Sequence, residues 1–339
     1  MSGKIRKIKL KFNDINISYQ NSIINNQILR IKQVDFGNLN IFNTGDRRDK
    51  IDVTIITKTI HIYKYNPNND NNIGQTEHNL YIDSDNTIAD ILMVAGGGGG
   101  GCRQMNSKYG SGGGGAGGLV FETNKRLESG NYIIKVGKGG TGGSYDQDID
   151  KINNENENGK NTEIMYGSET FLLAIGGGKG GNRNAYNRDA NYGKSGGSSG
   201  GSSIYEDDII DSQQVQINNI NSSYGNIGGR SGNFNNYFID IYSGGGGGGA
   251  GSIGIKGNIN VLPNGGNGIA EIGLKNFKEL FNIEDITIGH HQDEKVYFAG
   301  GGGGCCGYDK GGGEGGTGGG GDGEKGIDTG GMARNGEDN

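Results

Sequence analysis

Five short apolar stretches run straight into glycine, and this junction limits the fold more than any other feature of the chain. They are Ile91 to Ala95 before Gly96 to Gly101, Tyr132 to Val136 before Gly137, and Phe171 to Ile175 before Gly176 to Gly178. Phe238 to Tyr242 before Ser243 and Gly244 to Gly249, and Val296 to Ala299 before Gly300 to Gly304, complete the set. A flexible tether has no use for a β-branched or aromatic strand at every entrance, whereas an ordered fold whose strands feed a common glycine layer needs one. All but four of the 73 glycines follow Ala95, the exceptions being Gly3, Gly37, Gly45 and Gly74.

Glycine can be ordered without side chains in the polyproline-II conformation, with three residues per turn and its N–H and C=O groups pointing outward. Neighbouring runs must then accept those groups, because a buried unpaired one costs ~1–3 kcal/mol. A threefold pattern fits this: Lys138, Thr141 and Ser144 are the non-glycine residues of 137–144, and Glu314 and Thr317 those of 311–317. These stretches read as edge helices over 137–144 and 311–321, and the all-glycine runs 96–101, 244–249 and 300–304 as the centre. The fold class expected is all-β, with antiparallel β-sandwich modules carrying an inserted polyglycine-II bundle. One helix is predicted over 274–281, where Leu274, Phe277 and Phe281 share a face. Collagen is excluded, since the chain has 2 Pro and no strict Gly-X-Y period. No apolar stretch approaches the ~20 residues of a membrane span.

The expected division is an N-terminal β module over 1–90 and a glycine-rich domain over 91–339. Alternation at Ile8, Leu10 and Phe12, at Ile51, Val53 and Ile55, and at Ile60 and Ile62 marks strands. Pro67 and the asparagines from Asn68 to Asn72 mark a loop. Lys4, Arg6, Lys7, Lys9 and Lys11 make a lysine-protected edge strand or a basic arm for an acidic partner or nucleic acid. The net charge of −6 argues against nucleic acid as a partner of the whole chain. No secretory signal is read at the N-terminus.

The order Leu92-Met93-Val94-Ala95 with Gly96 to Gly101, Gly112 to Val120, Gly130 to Gly140, Asn158 to Thr162 and Ala174 to Gly178 carries a family resemblance. Tyr242 to Gly251, Gly265 to Gly268, Ala299 to Gly304 and Thr329 to Gly331 continue it. The chain resembles the glycine-rich domains of surface proteins of large DNA viruses and of phage tail-fibre adhesins. The resemblance implies a non-catalytic structural protein located in the virion, capsid-associated or part of a surface fibre, acting in assembly and particle stability. Its partners would be other virion or capsid proteins, self-association included. The alternative is a host-receptor-binding adhesin that presents tyrosine-bearing loops to a surface protein or glycan. Tyr109, Tyr145, Tyr186, Tyr192, Tyr205, Tyr224 and Tyr308 are the loop tyrosines concerned.

No catalytic, cofactor-binding or metal-binding residue is assigned, and no enzyme or cofactor is expected. Gly193-Lys194-Ser195 ends like a phosphate loop, but Arg188 stands where its first glycine is needed. Gly196-Gly197-Ser198-Ser199-Gly200 spells the nucleophile-elbow pattern without a strand before it. His290-His291, Asp83 to Asn86 and Asp322 to Glu324 lack the spacing of metal loops. Cys102 and Cys305-Cys306 follow similar glycine entrances. A disulfide between Cys102 and one of that pair would close a loop of about 200 residues, worth ~4–5 kcal/mol in the loop-entropy model; three thiols is the other reading.

Overall fold

The computed structural model describes residues 17–24, 27–34, 59–103, 109–146, 151–154, 156–183, 188–203, 223–236, 239–258, 261–307 and 311–323. The chain forms two compact units, Met1–Ile60 and His61–Asn339. In the first, β1 (Ile17–Ile24) and β2 (Gln27–Val34) pair antiparallel, with Ile17 opposite Val34 and Ile24 opposite Gln27. The basic residues Lys4 to Lys11 and the alternations at Ile8–Phe12 and Ile51–Ile55 lie outside the described residues.

In the second unit, β3 (Gln75–Ile82), β4 (Thr87–Val94), β5 (Leu119–Leu127) and β6 (Gly130–Gly137) are followed by the short pair β7 (Ser144–Asp146) and β8 (Lys151–Asn154), then β9 (Thr162–Tyr166) and β10 (Glu169–Ala174). The four-stranded antiparallel sheet has the order β10-β9-β6-β3, and β11 (Ser223–Tyr224) joins β5 and β4 in a three-stranded one. Because β3 and β4 pair with β6 and β5, the unit boundary falls after Ile60, ahead of the position suggested by the glycine distribution.

Period-two alternation sends the side chains of β5 in two directions, and the register irregularity between Glu122 and Lys125 shifts the parity so that Leu127 joins the side of Val120. Val120 and Leu127 join Met93, Tyr132, Ile134, Ile164 and Ala174 in a buried cluster drawn from both sheets. Leu119 and Phe121 enter a second cluster with Phe277, Val296 and Phe298. Thr162 ties the first assembly together where its strands enter glycine: its Oγ1 donates to Val94 O at 2.9 Å and accepts from Gly137 N at 3.0 Å.

Strands β12 (Gly232–Asn236) and β13 (Ile239–Ser243), β14 (Glu271–Ile272) and β15 (Lys275–Asn276), and β16 (His290–Gln292) and β17 (Lys295–Tyr297) form three further hairpins. Each of the five apolar entrances to the glycine runs overlaps a strand, β4, β6, β10, β13 or β17, the fourth being described from Ile239 and the fifth passing from β17 to an isolated bridge of Phe298 with Ile269.

Two local expectations fail. Ile60 and Ile62 are in no strand and are 45% and 56% exposed; their segment is held by ring contacts, Tyr63 lying 5.2 Å from His78. The helix expected over 274–281 is a single turn, α1 (Phe277–Leu280). Gly273, at φ 63°, and Leu274 instead form the two-residue turn between β14 and β15, a conformation glycine adopts without Cβ strain. Leu274 is therefore fully exposed. Asn276 caps α1 by accepting from Lys278 N at 2.9 Å, and Phe277 is buried edge-on against Phe121, 5.1 Å between ring centres.

Candidate functional site

The residues between the strands form a layer bonded through its own backbone. Gly96 N donates to Lys160 O at 3.0 Å and Gly99 N to Glu157 O at 2.9 Å, so one neighbour is met at every third residue. Gly98 and Gly101 reach Gly115 O and Gly112 O in the same way, at 2.8 and 2.9 Å. The carbonyls of this run accept from two further segments: Gly97 and Gly100 from Gly140 and Gly143, Gly96 and Gly99 from Gly177 and Gly180. The run 244–249 repeats the arrangement, Gly245 and Gly248 accepting from Gly113 and Ala116 while donating to Ser202 and Ser199.

The absence of side chains is a steric requirement. A Cβ on Gly247 would lie 1.9 Å from Gly114 O, one on Gly99 1.9 Å from Thr141 O, and one on Gly265 1.8 Å from Gly301 O. All of 244–249 is buried, whereas Thr141 and Glu314 are exposed and Lys138, Ser144 and Thr317 half-buried. The stretch 311–321 is not one straight segment. It turns at Thr317 to Gly319, where Gly318 and Gly319 have φ of 106° and 92°, and returns so that Gly323 N meets Gly313 O at 2.8 Å.

Buried amides and hydroxyls close the backbone network at positions that composition does not single out. Asn156 Nδ2 donates to Gly180 O at 2.6 Å and Gly99 O at 3.2 Å, and Asn226 Nδ2 to Gly249 O and Ala250 O at 2.8 and 2.9 Å. Asn182 Oδ1 accepts from Cys102 N at 3.0 Å. Ser198 of the elbow-like pattern is such a group: it is fully buried and accepts from Asn226 N at 3.2 Å. Lys194 of the phosphate-loop-like pattern donates to Asp189 O at 3.0 Å.

Cys102, Cys305 and Cys306 are buried thiols with no disulfide between them. Burial pushes both Cys102 and Cys306 up to about 12. His290 and His291 lie in the β16 hairpin, His291 Nε2 being 3.1 Å from Ile288 O. Asp85 accepts from Ser129 N at 2.7 Å, and its hydrogen bonding to Ser129 holds its carboxyl below the usual range. Asp322 accepts from Gly315 N at 2.8 Å. Among the described residues no group of three or more His, Cys, Asp or Glu could hold a metal ion. None of their helices is long and apolar enough to cross a membrane.

Two of the loop tyrosines, Tyr109 and Tyr224, have packing partners. Tyr109 stacks on Tyr242 at 4.8 Å with the Arg183 guanidinium 4.0 Å from its ring, and Tyr224 packs against the Leu119–Phe121 cluster. Tyr145 lies in β7 and Tyr192 is half-buried, while Tyr186, Tyr205 and Tyr308 lie outside the described residues.

A sequence profile of the glycine-rich domain matches residues 74–339, the span from the start of β3 through the whole glycine layer. The chain belongs to the glycine-rich domain family. No curated protein and no solved structure matches it. The family match begins at Gly74, whose carbonyl accepts from Lys138 N at 2.9 Å, so the matched region opens where the layer does.

Proposed function

We propose that the glycine segments are polyglycine-II helices inserted into a β-sandwich, and that the chain is a non-catalytic structural protein of a virion, capsid-associated or in a surface fibre. One observation carries the reading: backbone partners recur at every third residue around runs such as Gly96 to Gly101, which is the repeat of a three-residue-per-turn helix. The two sheets sharing one buried cluster support the sandwich. A layer held by backbone bonds has no mobile side-chain interior, and this suits a part whose task is mechanical persistence.

Hydrogen exchange with mass spectrometry tests the architecture. Peptides spanning Gly96 to Gly101, Gly244 to Gly249 and Gly300 to Gly304 are expected to exchange slowly, and exchange within seconds refutes it. Quantitative detection of the chain in gradient-purified particles from its source tests the role. Salt-resistant co-sedimentation in many copies is expected. Recovery outside the particle fractions refutes the structural role, and a few copies per particle with measurable binding to a host surface replaces it by the adhesin.

A further inference from the structure

Four Gly-Lys pairs, far apart in sequence, meet on the outside of the glycine layer: Gly137-Lys138, Gly159-Lys160, Gly178-Lys179 and Gly193-Lys194. Backbone bonds fix their adjacency. Lys160 N donates to Lys138 O at 2.9 Å, Lys179 N to Asn158 Oδ1 at 2.9 Å, and Lys194 N to Lys179 O at 2.8 Å. In two of the pairs the glycine is what lets the neighbouring lysine approach: a Cβ on Gly137 would lie 2.2 Å from Lys160 O, and one on Gly178 1.8 Å from Lys194 O. The four lysines therefore form a ridge of two neighbouring pairs, Lys138 beside Lys160 and Lys179 beside Lys194, joined through the Asn158 side chain.

Lys160 is exposed and the other three are half-buried. None of the four forms an ion pair among the described residues, in contrast to Lys125, Lys135 and Lys295. Lys179 Nζ and Lys194 Nζ donate to the backbone carbonyls of Asn156 and Asp189. The segments 137–143, 156–161, 176–181 and 188–195 carry only Glu157 and Asp189 as acids. With Asp70, whose carboxylate interacts with Lys138, three acids stand against the four lysines and Arg188, a positive excess in a chain of net charge −6.

We propose that this ridge binds a sulfated or otherwise acidic polysaccharide. Besides the carboxylates of Glu157 and Asp189, Thr141, Asn158 and Ser195 are exposed among the lysines, hydroxyl and amide groups that suit sugar hydroxyls. Point charges held on a rigid backbone match a polymer with repeated anionic groups, and the ordering of their segments is completed before binding. Single-stranded nucleic acid binding, by contrast, rests on aromatic platforms that stack bases. The inference does not depend on a virion location.

Fluorescence anisotropy on the full chain tests it, with labelled heparin oligosaccharide as the sulfated probe and neutral dextran, single-stranded DNA and duplex DNA as comparators. Heparin is expected to bind more tightly than any comparator. Raising salt from 50 to 200 mM should weaken it roughly 100-fold if four charges are engaged. The variant Lys138→Gln/Lys160→Gln/Lys179→Gln/Lys194→Gln should lose at least about 10-fold in affinity, and Lys256→Gln/Lys278→Gln, away from the ridge, should not. Should the fourfold variant misfold, Lys138→Gln/Lys160→Gln removes two charges without touching the Lys179 and Lys194 carbonyl bonds. Absence of heparin binding, affinity unchanged in a folded ridge variant, or DNA bound as tightly as heparin overturns the proposal.

Discussion

Substituting glycines by alanine at two positions should move stability in opposite directions. In Gly247→Ala the new methyl would lie 1.9 Å from Gly114 O. Restoring an ordinary contact of at least 3.4 Å requires a separation of about 1.5 Å between the segments. The bonds joining them, Gly113 N to Gly245 O and Ala116 N to Gly248 O, are both 2.9 Å long and do not survive that movement. Each buried group left without a partner costs ~1–3 kcal/mol, while alanine returns ~0.4–1 kcal/mol by restricting the unfolded chain. Counted once per broken bond, the net loss is ~1–5 kcal/mol, a fall in Tm of at least about 2 °C for a domain of this size.

In Gly97→Ala the nearest backbone atoms to the methyl are Gly115 O at 3.7 Å and Gly117 N at 3.9 Å. Its backbone is not left-handed, so only the unfolded-state term of ~0.4–1 kcal/mol remains and the protein should be slightly stabilised. Thr141→Ala, at an exposed position, should change stability by less than about 0.5 kcal/mol. Scanning calorimetry of the three variants decides the matter. Equal shifts for Gly247→Ala and Gly97→Ala would mean that backbone contact does not organise the layer, and the reasoning would fail.

The thiols offer a second probe: with Cys102 and Cys306 pushed up to about 12, roughly one thiol in 10⁴ of each is ionised at pH 8. A disulfide-exchange reagent should therefore label none of the three buried cysteines in the native chain and all of them in denaturant; rapid native labelling refutes the burial. Asn156→Ala removes the donor to Gly99 O and Gly180 O and should cost ~1–3 kcal/mol in denaturant titration, whereas Asn158→Ala, which removes one solvent-exposed acceptor from Lys179 N, should cost less. Asp70, Asp85 and Asp285 are held below the usual range chiefly by hydrogen bonds, from Tyr65, Ser129 and Thr287 respectively. A depressed folded-state value contributes stability above the unfolded value, lost as pH falls through the folded one, so a Tm series should decline as pH drops below about 4; an unchanged Tm at pH 2 would contradict this.

The strands and the glycine entrances were legible because both signals are local: a β-branched run has its own period, and glycine ends it. The outward position of Thr141 and Glu314 was legible for the same reason, since the three-residue period is written along one segment. The turn at Thr317 to Gly319 was not, because glycine permits every conformation and carries no sign of φ. Leu274 misled because its spacing to Phe277 mimics a helix face, while Gly273 decides the local path. The Gly-Lys ridge and the Asn156 and Asn226 clamps were invisible for a different reason. Each rests on which segments lie side by side, and among so many asparagines and glycines no spacing marks the few that meet.

The bonding pattern also bears on how the layer holds together. Ordering backbone costs ~1–2 kcal/mol per residue, and most for glycine, so no single run is stable by itself. The segment 112–116 links the two halves, its carbonyls at Gly112 and Gly115 accepting from Gly101 and Gly98 while Gly113 and Ala116 donate to Gly245 and Gly248. Damage at one run should therefore loosen the other. In Gly99→Ala, whose methyl meets Thr141 O at 1.9 Å, hydrogen exchange should accelerate at Gly244 to Gly249 as well as at Gly96 to Gly101. Acceleration confined to the mutated run would mean that the segments are stabilised one at a time by their entrance strands, and that the glycine layer is a set of independent pieces with no cooperative core.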